Sequence, residues 1–213
     1  ETPKPAVADA DNITTTVWQV GPTRTYKKPS EVASLVQNGD VIEIDAADYV
    51  GDVARWAQHD LIFRGVGGTP SLDANYKACG RKAIWVIAGN NVVVENIRFL
   101  NCKDQTDRDK NWAGIRQEGT NLTVRNCIFY NNSNGILCGK NLDSNIVITG
   151  TVFDSNGHGD GQSHNLYIGQ INSLTFTHNY SHKAVDGHEL KSRAVNNYIL
   201  YNRISDEDGT AAR

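Results

Sequence analysis

The stretch NVVVENIRF at residues 91–99 decides the fold, because its pattern returns without gaps four more times. The copies are NLTVRNCIF at 121–129, NIVITGTVF at 145–153, SLTFTHNYS at 173–181 and NYILYNRIS at 197–205. Their starts lie 30, 24, 28 and 24 residues apart. Apolar and polar residues alternate at the start of each copy, which is typical of a strand with one buried face. Asn or Gly then marks a bend at the sixth position, with His178 as the exception.

A second strand is predicted before each copy, at residues 83–87, 114–118, 135–139, 165–169 and 189–193. One repeat is therefore strand, turn, strand and loop, and repeats of this length and content predict a parallel β-helix. We expect the recurring asparagines to stack, each amide bonding its copy one coil away. A leucine-rich repeat would need a regular LxxLxL framework, which is absent, and a β-sandwich shows no repeating register.

The flanks of the repeats complete the predicted architecture. Residues 28–39, KPSEVASLVQNG, are predicted to form a short amphipathic helix that covers the open end of the solenoid. Residues 1–20 are expected to be an N-terminal extension and residues 21–213 a single β-helix domain, whose last coil reaches Arg213 without a cap. The fold class is therefore all-β, with a capping helix at the N-terminal end.

Composition excludes several classes of protein. No apolar run approaches the roughly 18 residues that a membrane-spanning helix needs. A net charge of -3 without a Lys/Arg block argues against nucleic acid as a partner. The Pro/Ala-rich, polar start resembles that of a mature secreted protein, so we expect a secreted or periplasmic location. Four cysteines fit no CxxC pair, which disfavours zinc and leaves a Cys79–Cys102 disulfide open.

The predicted capping helix, the stretch NGDVIEIDAADY at residues 38–49 and the Asn-punctuated coils resemble the right-handed parallel β-helix superfamily. Pectate lyases, alginate and chondroitin lyases and mannuronan C5-epimerases belong to this superfamily, and the resemblance covers roughly residues 20–213. It implies an acidic polysaccharide as the partner, lying along the outside of one sheet. Residues 189–204 resemble the stretch that carries the catalytic Lys in the alginate lyase and chondroitinase B family. By this resemblance Lys191 matches that Lys, Arg213 falls near the family's catalytic Arg, and Asn165 and Glu189 partly echo its calcium-binding cluster.

Strand alternation alone places three outward columns on the preceding strands. These are Trp85, Arg116, Leu137, Tyr167 and Lys191; Ile87, Glu118, Gly139, Gly169 and Arg193; and Ala83, Gly114, Gly135, Asn165 and Glu189. Neighbouring coils lie about 4.8 Å apart. Tyr167 should therefore adjoin Lys191, and His164 should pair with His188.

These residue types suit β-elimination from a uronic acid. That reaction needs a neutralised carboxylate, a base for the C5 proton and an acid for the leaving O4. The candidate catalytic residues are Lys191 as base, Tyr167 as acid or as the base in a Tyr/His mechanism, His188 and Arg193. The candidate substrate-binding residues are Arg116, Glu118, His164, Asn165, Glu189 and Asp160.

The residues leave other functions open. Returning the proton to the opposite face would make a C5-epimerase from the same parts. A glycoside hydrolase needs paired carboxylates, and Glu118 and Glu189 are predicted to lie three coils apart, on the order of 14 Å. A non-catalytic glycan-binding or tailspike-like module is the third alternative.

Overall fold

The computed structural model describes residues 15–105, 111–159 and 161–207. These residues contain 21 strands, numbered β1–β21 in chain order, and every neighbouring pair within the three sheets is parallel. The eight-stranded sheet comprises Val17–Val20 (β1), Val41–Asp45 (β2), Ile62–Val66 (β5), Val92–Glu95 (β8), Leu122–Arg125 (β11), Asn141–Thr149 (β14), Ile171–Thr177 (β17) and Asn196–Leu200 (β20).

The other two sheets complete each coil. The seven-stranded sheet comprises Asp48–Val50 (β3), Ser71–Asp73 (β6), Arg98–Leu100 (β9), Ile128–Tyr130 (β12), Val152–Asp154 (β15), Tyr180–His182 (β18) and Arg203–Ser205 (β21). The six-stranded sheet comprises Ala54–Trp56 (β4), Ala83–Ile87 (β7), Ala113–Gln117 (β10), Asn134–Cys138 (β13), Leu166–Ile168 (β16) and Lys191–Ser192 (β19). The predicted parallel β-helix is therefore confirmed.

The repeated nine-residue segments form the eight-stranded and seven-stranded sheets and the bend between them. At that bend Asn96, Asn126, Gly150 and His178 have φ angles of 56°, 52°, 62° and 57°. This left-handed region is open to Gly and tolerated by Asn, which explains the recurring residue types. In the last coil Tyr201, not Asn202, takes this conformation, and Asn196 pairs with Ser173. The predicted alignment of the fifth segment was therefore wrong by one residue.

A stack of aromatic rings runs along the interior. Phe99, Phe129 and Phe153 end three consecutive segments and lie face to face, with centroid distances of 4.9 and 5.1 Å. All three side chains are fully buried. Such stacked pairs contribute about 0.5–1.5 kcal/mol each beyond the burial of their area. The aromatic stack therefore fixes the register of successive coils.

The asparagine ladder is present on the outside of the eight-stranded sheet, at the first position of the segments. Asn121 Nδ2 donates to Asn91 Oδ1 at 2.8 Å. Asn172, directly before the fourth segment, donates from its Nδ2 to Asn145 Oδ1 at 2.7 Å. Stacking of asparagines is thus confirmed at this edge of the strand, whereas Asn96 at the bend donates to the carbonyl oxygens of Gly65 and Gly68.

The prediction of an N-terminal capping helix over residues 28–39 is wrong. Only Pro29–Val32 is helical, as a single 3-10 turn, and Lys28 provides no side-chain cap. A segment this short cannot propagate an α-helix without strong capping or packing along one face. Val32 and Val36 are nonetheless fully buried against the core, so the segment covers the core through turns. The described part of the chain has no helix that is long and apolar enough to cross a membrane.

The division into an extension over 1–20 and a domain over 21–213 stays a prediction. Strand β1 lies within residues 1–20 and pairs with β2 in the eight-stranded sheet, from Val17 with Val41 to Val20 with Ile44.

Candidate functional site

The outer face of the six-stranded sheet carries a column formed by Arg116, Leu137, Tyr167 and Lys191. Arg116 pairs with Leu137, Leu137 with Tyr167 and Tyr167 with Lys191. The predicted neighbourhood of Tyr167 and Lys191 is thus confirmed. Trp85 does not belong to this column, because Arg116 pairs with Val86 and Trp85 is fully buried in the core. The predicted register of this coil was therefore wrong by one residue. For the same reason Ile87 pairs with Gln117 and does not belong to the column of Glu118 and Arg193.

The outward orientation predicted for Asn165 and Glu189 is wrong, since their exposed fractions are 0% and 8%. Strand β16 begins only at Leu166, which is also buried, so strict alternation does not extend back to Asn165. The Asn165 Nδ2 atom donates to Glu189 Oε2 at 2.5 Å, and Asn165 Oδ1 accepts from Asn156 Nδ2 at 2.9 Å. Glu189 Oε1 accepts from the backbone N–H of Ala184 at 2.9 Å.

These hydrogen bonds occupy the oxygen atoms that the predicted calcium site would need. The carboxylate oxygens of Glu189 and the amide oxygen of Asn165 all accept hydrogen bonds inside the coil, and Asn165 presents its amide nitrogen to Glu189. Calcium takes six to eight oxygen ligands, so this pair does not fit the ion. Within residues 15–105, 111–159 and 161–207, no group of three or more His, Cys, Asp or Glu side chains is placed to hold a metal.

A histidine pair lies at the start of these strands, as predicted, with His164 itself buried. The rings of His164 and His188 lie with their centroids 4.9 Å apart in an edge-to-face arrangement. The backbone N–H of His188 donates to His164 Nδ1 at 3.1 Å, and the two Nδ1 atoms lie 3.3 Å apart. Asn134 Oδ1 accepts from the backbone N–H of His164 at 3.0 Å. Sequence reasoning missed Asn134, although it directly precedes the strand predicted at residues 135–139, as His164 and His188 directly precede the strands predicted at 165–169 and 189–193.

Lys191 joins the histidine pair to the aromatic side chain beside it. Its Nζ lies 3.2 Å from His164 Nε2 and 5.5 Å from the centroid of the Tyr167 ring. Arg193 Cζ lies 5.6 Å from the same centroid. His164 is buried, whereas Tyr167 and Lys191 are half-buried and Arg193 is exposed. The site therefore has a buried imidazole behind an accessible amine, phenol and guanidinium.

These groups open onto a cavity of about 260 Å³. Its described lining is Asn111, Asn134, Leu137, Gly161, Gln162, His164, Tyr167, Lys191 and Arg193. This lining brings together four of the predicted site residues. It contains cationic and hydrogen-bonding groups and, among the described residues, no carboxylate, so it suits an anionic ligand.

The remaining predicted residues lie elsewhere. Arg116 and Glu118 line a neighbouring cavity two coils away, and Glu118 forms an ion pair with Lys82. Asp160 and Arg213 lie outside the described residues. The cysteines Cys79, Cys102, Cys127 and Cys138 are all free thiols. Burial raises the pKa of Cys102 and of Cys127 to about 12, so both behave as core residues.

Comparison with known proteins identifies the scaffold. A family model described as "Right handed beta helix region" matches residues 35–170. No curated protein matches the sequence. The pectin methylesterase of Erwinia chrysanthemi superposes with a TM-score of 0.58 at 10% identity, over 86% of this chain and 67% of its own. A mutant pectin methylesterase in complex with a hexasaccharide superposes with a TM-score of 0.60 at 12% identity, over 92% and 68%. Likeness at such low identity shows a shared fold.

Proposed function

Since the chain belongs to the right-handed β-helix family, we propose that it is a lyase that cleaves a uronate polysaccharide by β-elimination at Lys191 and Tyr167. The structural neighbours are pectin methylesterases, one with a bound hexasaccharide, which supports a polysaccharide as the substrate class. Such a substrate would place the protein outside the cytoplasm, in line with the secreted or periplasmic location expected from its sequence.

The observation that carries the proposal is the convergence of three side chains on one cavity. Lys191 Nζ lies 3.2 Å from His164 Nε2 and 5.5 Å from the centroid of the Tyr167 ring, and Arg193 Cζ lies 5.6 Å from the same centroid. An amine, a phenol and a guanidinium are the base, the acid and the carboxylate partner that β-elimination needs.

The proposed reaction uses three groups that line the cavity. Arg193 neutralises the uronate carboxylate, which makes the C5 proton more acidic. The Lys191 amine takes that proton, the electron pair forms the C4–C5 double bond, and the C4–O4 bond breaks. The Tyr167 hydroxyl donates its proton to O4, and the ammonium of Lys191 then returns a proton to the phenolate. Atoms and charge balance without a further reactant.

The test is incubation with alginate, pectate, glucuronan, hyaluronan and chondroitin, followed by the ultraviolet absorbance of the unsaturated uronate. We expect Lys191→Ala to lower the rate by about 10²–10⁴-fold, the usual contribution of a general base. The matched control is Lys28→Ala, an exposed lysine in the N-terminal segment far along the chain from the site, which should keep full activity.

Three outcomes would contradict parts of this proposal. Full activity of Lys191→Ala would refute the residue assignment. Inversion at C5 in proton NMR spectra without unsaturated product would replace the lyase by an epimerase. Neither product nor inversion on any polymer would refute the reaction class, and glycan binding that survives Lys191→Ala would then favour a non-catalytic module.

A further inference from the structure

His164 is almost completely enclosed by the residues around Lys191. Only 1% of its surface is exposed, whereas Lys191 and Tyr167 are half-buried and Arg193 is exposed. A polysaccharide on the outer face of the sheet therefore meets the amine, the phenol and the guanidinium before it can reach this imidazole. Any effect of His164 on the reaction must be exerted through the side chains that it contacts.

Hydrogen bonds from both neighbouring coils hold His164 in its place. From the preceding coil, Asn134 Oδ1 accepts the backbone N–H of His164 at 3.0 Å. From the following coil, the backbone N–H of His188 donates to Nδ1 of the ring at 3.1 Å, and the two imidazoles are in edge-to-face contact. The backbone N–H of Asn165 donates to the carbonyl oxygen of His188 at 3.1 Å. Both the backbone and the ring of His164 are therefore bound to the coils beside it.

The other side of the same ring contacts the proposed base. His164 Nε2 lies 3.2 Å from Lys191 Nζ, and the ring centroids of His164 and Tyr167 lie 6.0 Å apart. A lysine amine sits at the end of a flexible four-carbon stem, which costs entropy to order. A hydrogen bond to a partner that is itself fixed restricts where that amine lies. The enclosed ring therefore determines where Lys191 Nζ stands relative to Tyr167.

We propose that His164 is a positioning residue, which holds the Lys191 amine beside the Tyr167 ring and does not itself bind the polysaccharide. The inference rests on the proposed function, in which Lys191 takes the C5 proton and Tyr167 donates one to O4. Both transfers need the side chains within hydrogen-bond distance of the reacting atoms. A misplacement of about 1 Å can cost about 10²-fold in rate. The sequence predicts a substrate-binding role for His164, and the burial of its ring favours this different one.

The test compares two replacements of His164 that keep different sides of its ring. Asparagine can place an amide atom near the position of Nδ1, and glutamine, which is one methylene longer, near that of Nε2. We expect His164→Asn to lower kcat by up to about 10²-fold at unchanged KM, because the amine loses its partner while the substrate contacts stay. His164→Gln should keep most of the activity, since its amide can reach Lys191. His178→Asn, at an exposed bend where asparagine recurs, is the matched control and should keep full activity.

A second measurement needs no substrate. Nitrogen NMR spectra of the histidine rings report the hydrogen bonding of each ring nitrogen. Lys191→Ala should shift the resonance of His164 Nε2, and Lys28→Ala should leave it in place.

The possible results separate this role from the alternatives. A raised KM for His164→Asn at unchanged kcat would overturn the proposal, because the ring would then bind the substrate. Equal losses of kcat in His164→Asn and His164→Gln, or full activity of both, would also contradict it. An unmoved Nε2 resonance in Lys191→Ala would refute the contact itself. If the unaltered chain cleaves no polymer while this resonance does move, the lyase proposal fails and the fixed position of the Lys191 amine remains.

Discussion

Replacing Asn156 with Ala should destabilise the protein far more than replacing an asparagine of the outer ladder. Asn156 is fully buried at the centre of a stack with Asn132 and Asn165. Its Oδ1 accepts from the backbone N–H and from Nδ2 of Asn132, at 3.0 and 2.9 Å. Its Nδ2 donates to the carbonyl oxygen of Phe129 at 2.9 Å. Asn165 directly follows His164, so this stack also supports the start of β16.

The magnitude follows from the groups that the alanine would leave behind. The backbone N–H of Asn132 loses its side-chain acceptor and the Phe129 carbonyl loses an amide donor, both in a part of the coil closed to water. At about 1–3 kcal/mol for each buried unsatisfied group, we expect a loss of about 4 kcal/mol. Asn145→Ala is the matched control, because Asn145 is exposed and its partners can turn to water. Its loss should stay below about 1 kcal/mol.

Urea unfolding followed by circular dichroism measures both variants. With a slope of about 2 kcal/mol per molar urea, the midpoint should fall by roughly 2 M for Asn156→Ala and by less than about 0.5 M for Asn145→Ala. Equal midpoints for the two variants would refute the reasoning, since the buried amide would then contribute no more to the free energy of unfolding than the exposed one. Loss of all folded Asn156→Ala protein with normal folding of Asn145→Ala would agree with it.

Two further predictions concern protonation and reactivity. Burial raises the pKa of Glu189 above its ordinary 4.5, so its contribution to stability is fully present below the unfolded pKa and is lost as pH rises through the folded pKa. Glu189→Gln should flatten this part of the pH dependence of the free energy of unfolding, and an unchanged slope would contradict the assignment. Among the thiols, an alkylating reagent should label half-buried Cys79 first and reach Cys102 and Cys127 only on unfolding, as read by mass spectrometry. Native-state labelling of Cys127 at the rate of Cys79 would be the contrary result.

The sequence predicted the strands of the coil well, because period and bend are local properties. Left-handed Asn96 and Asn126 recur at the same step of each segment, and the residues between bends alternate. The same reasoning failed at Trp85 and at Asn197, each by one residue. The repeats there have different residue types at the ends of the strands. A gapless alignment therefore identifies the coil but does not determine which residues pair with those of the neighbouring coil.

The prediction of the site was likewise right within strands and wrong at the corners of the coil. Tyr167 and Lys191 lie within or at the start of strands, where alternation holds, and the structure makes them neighbours. Asn165 lies before its strand, at the corner of the coil, and its side chain turns inward. No rule of alternation describes a corner, because two consecutive residues there can face the core.

The sequence by itself determined that this chain coils into a parallel β-helix and that a Lys and a Tyr stack on one outer face. Those features follow from short-range periodicity, which the order of residues contains. Only the tertiary structure decided that Asn165 and Glu189 are buried and that His164 turns its Nε2 toward Lys191. These depend on how coils of unequal length pack on one another, which fixes both the register between distant residues and the direction in which each corner side chain points.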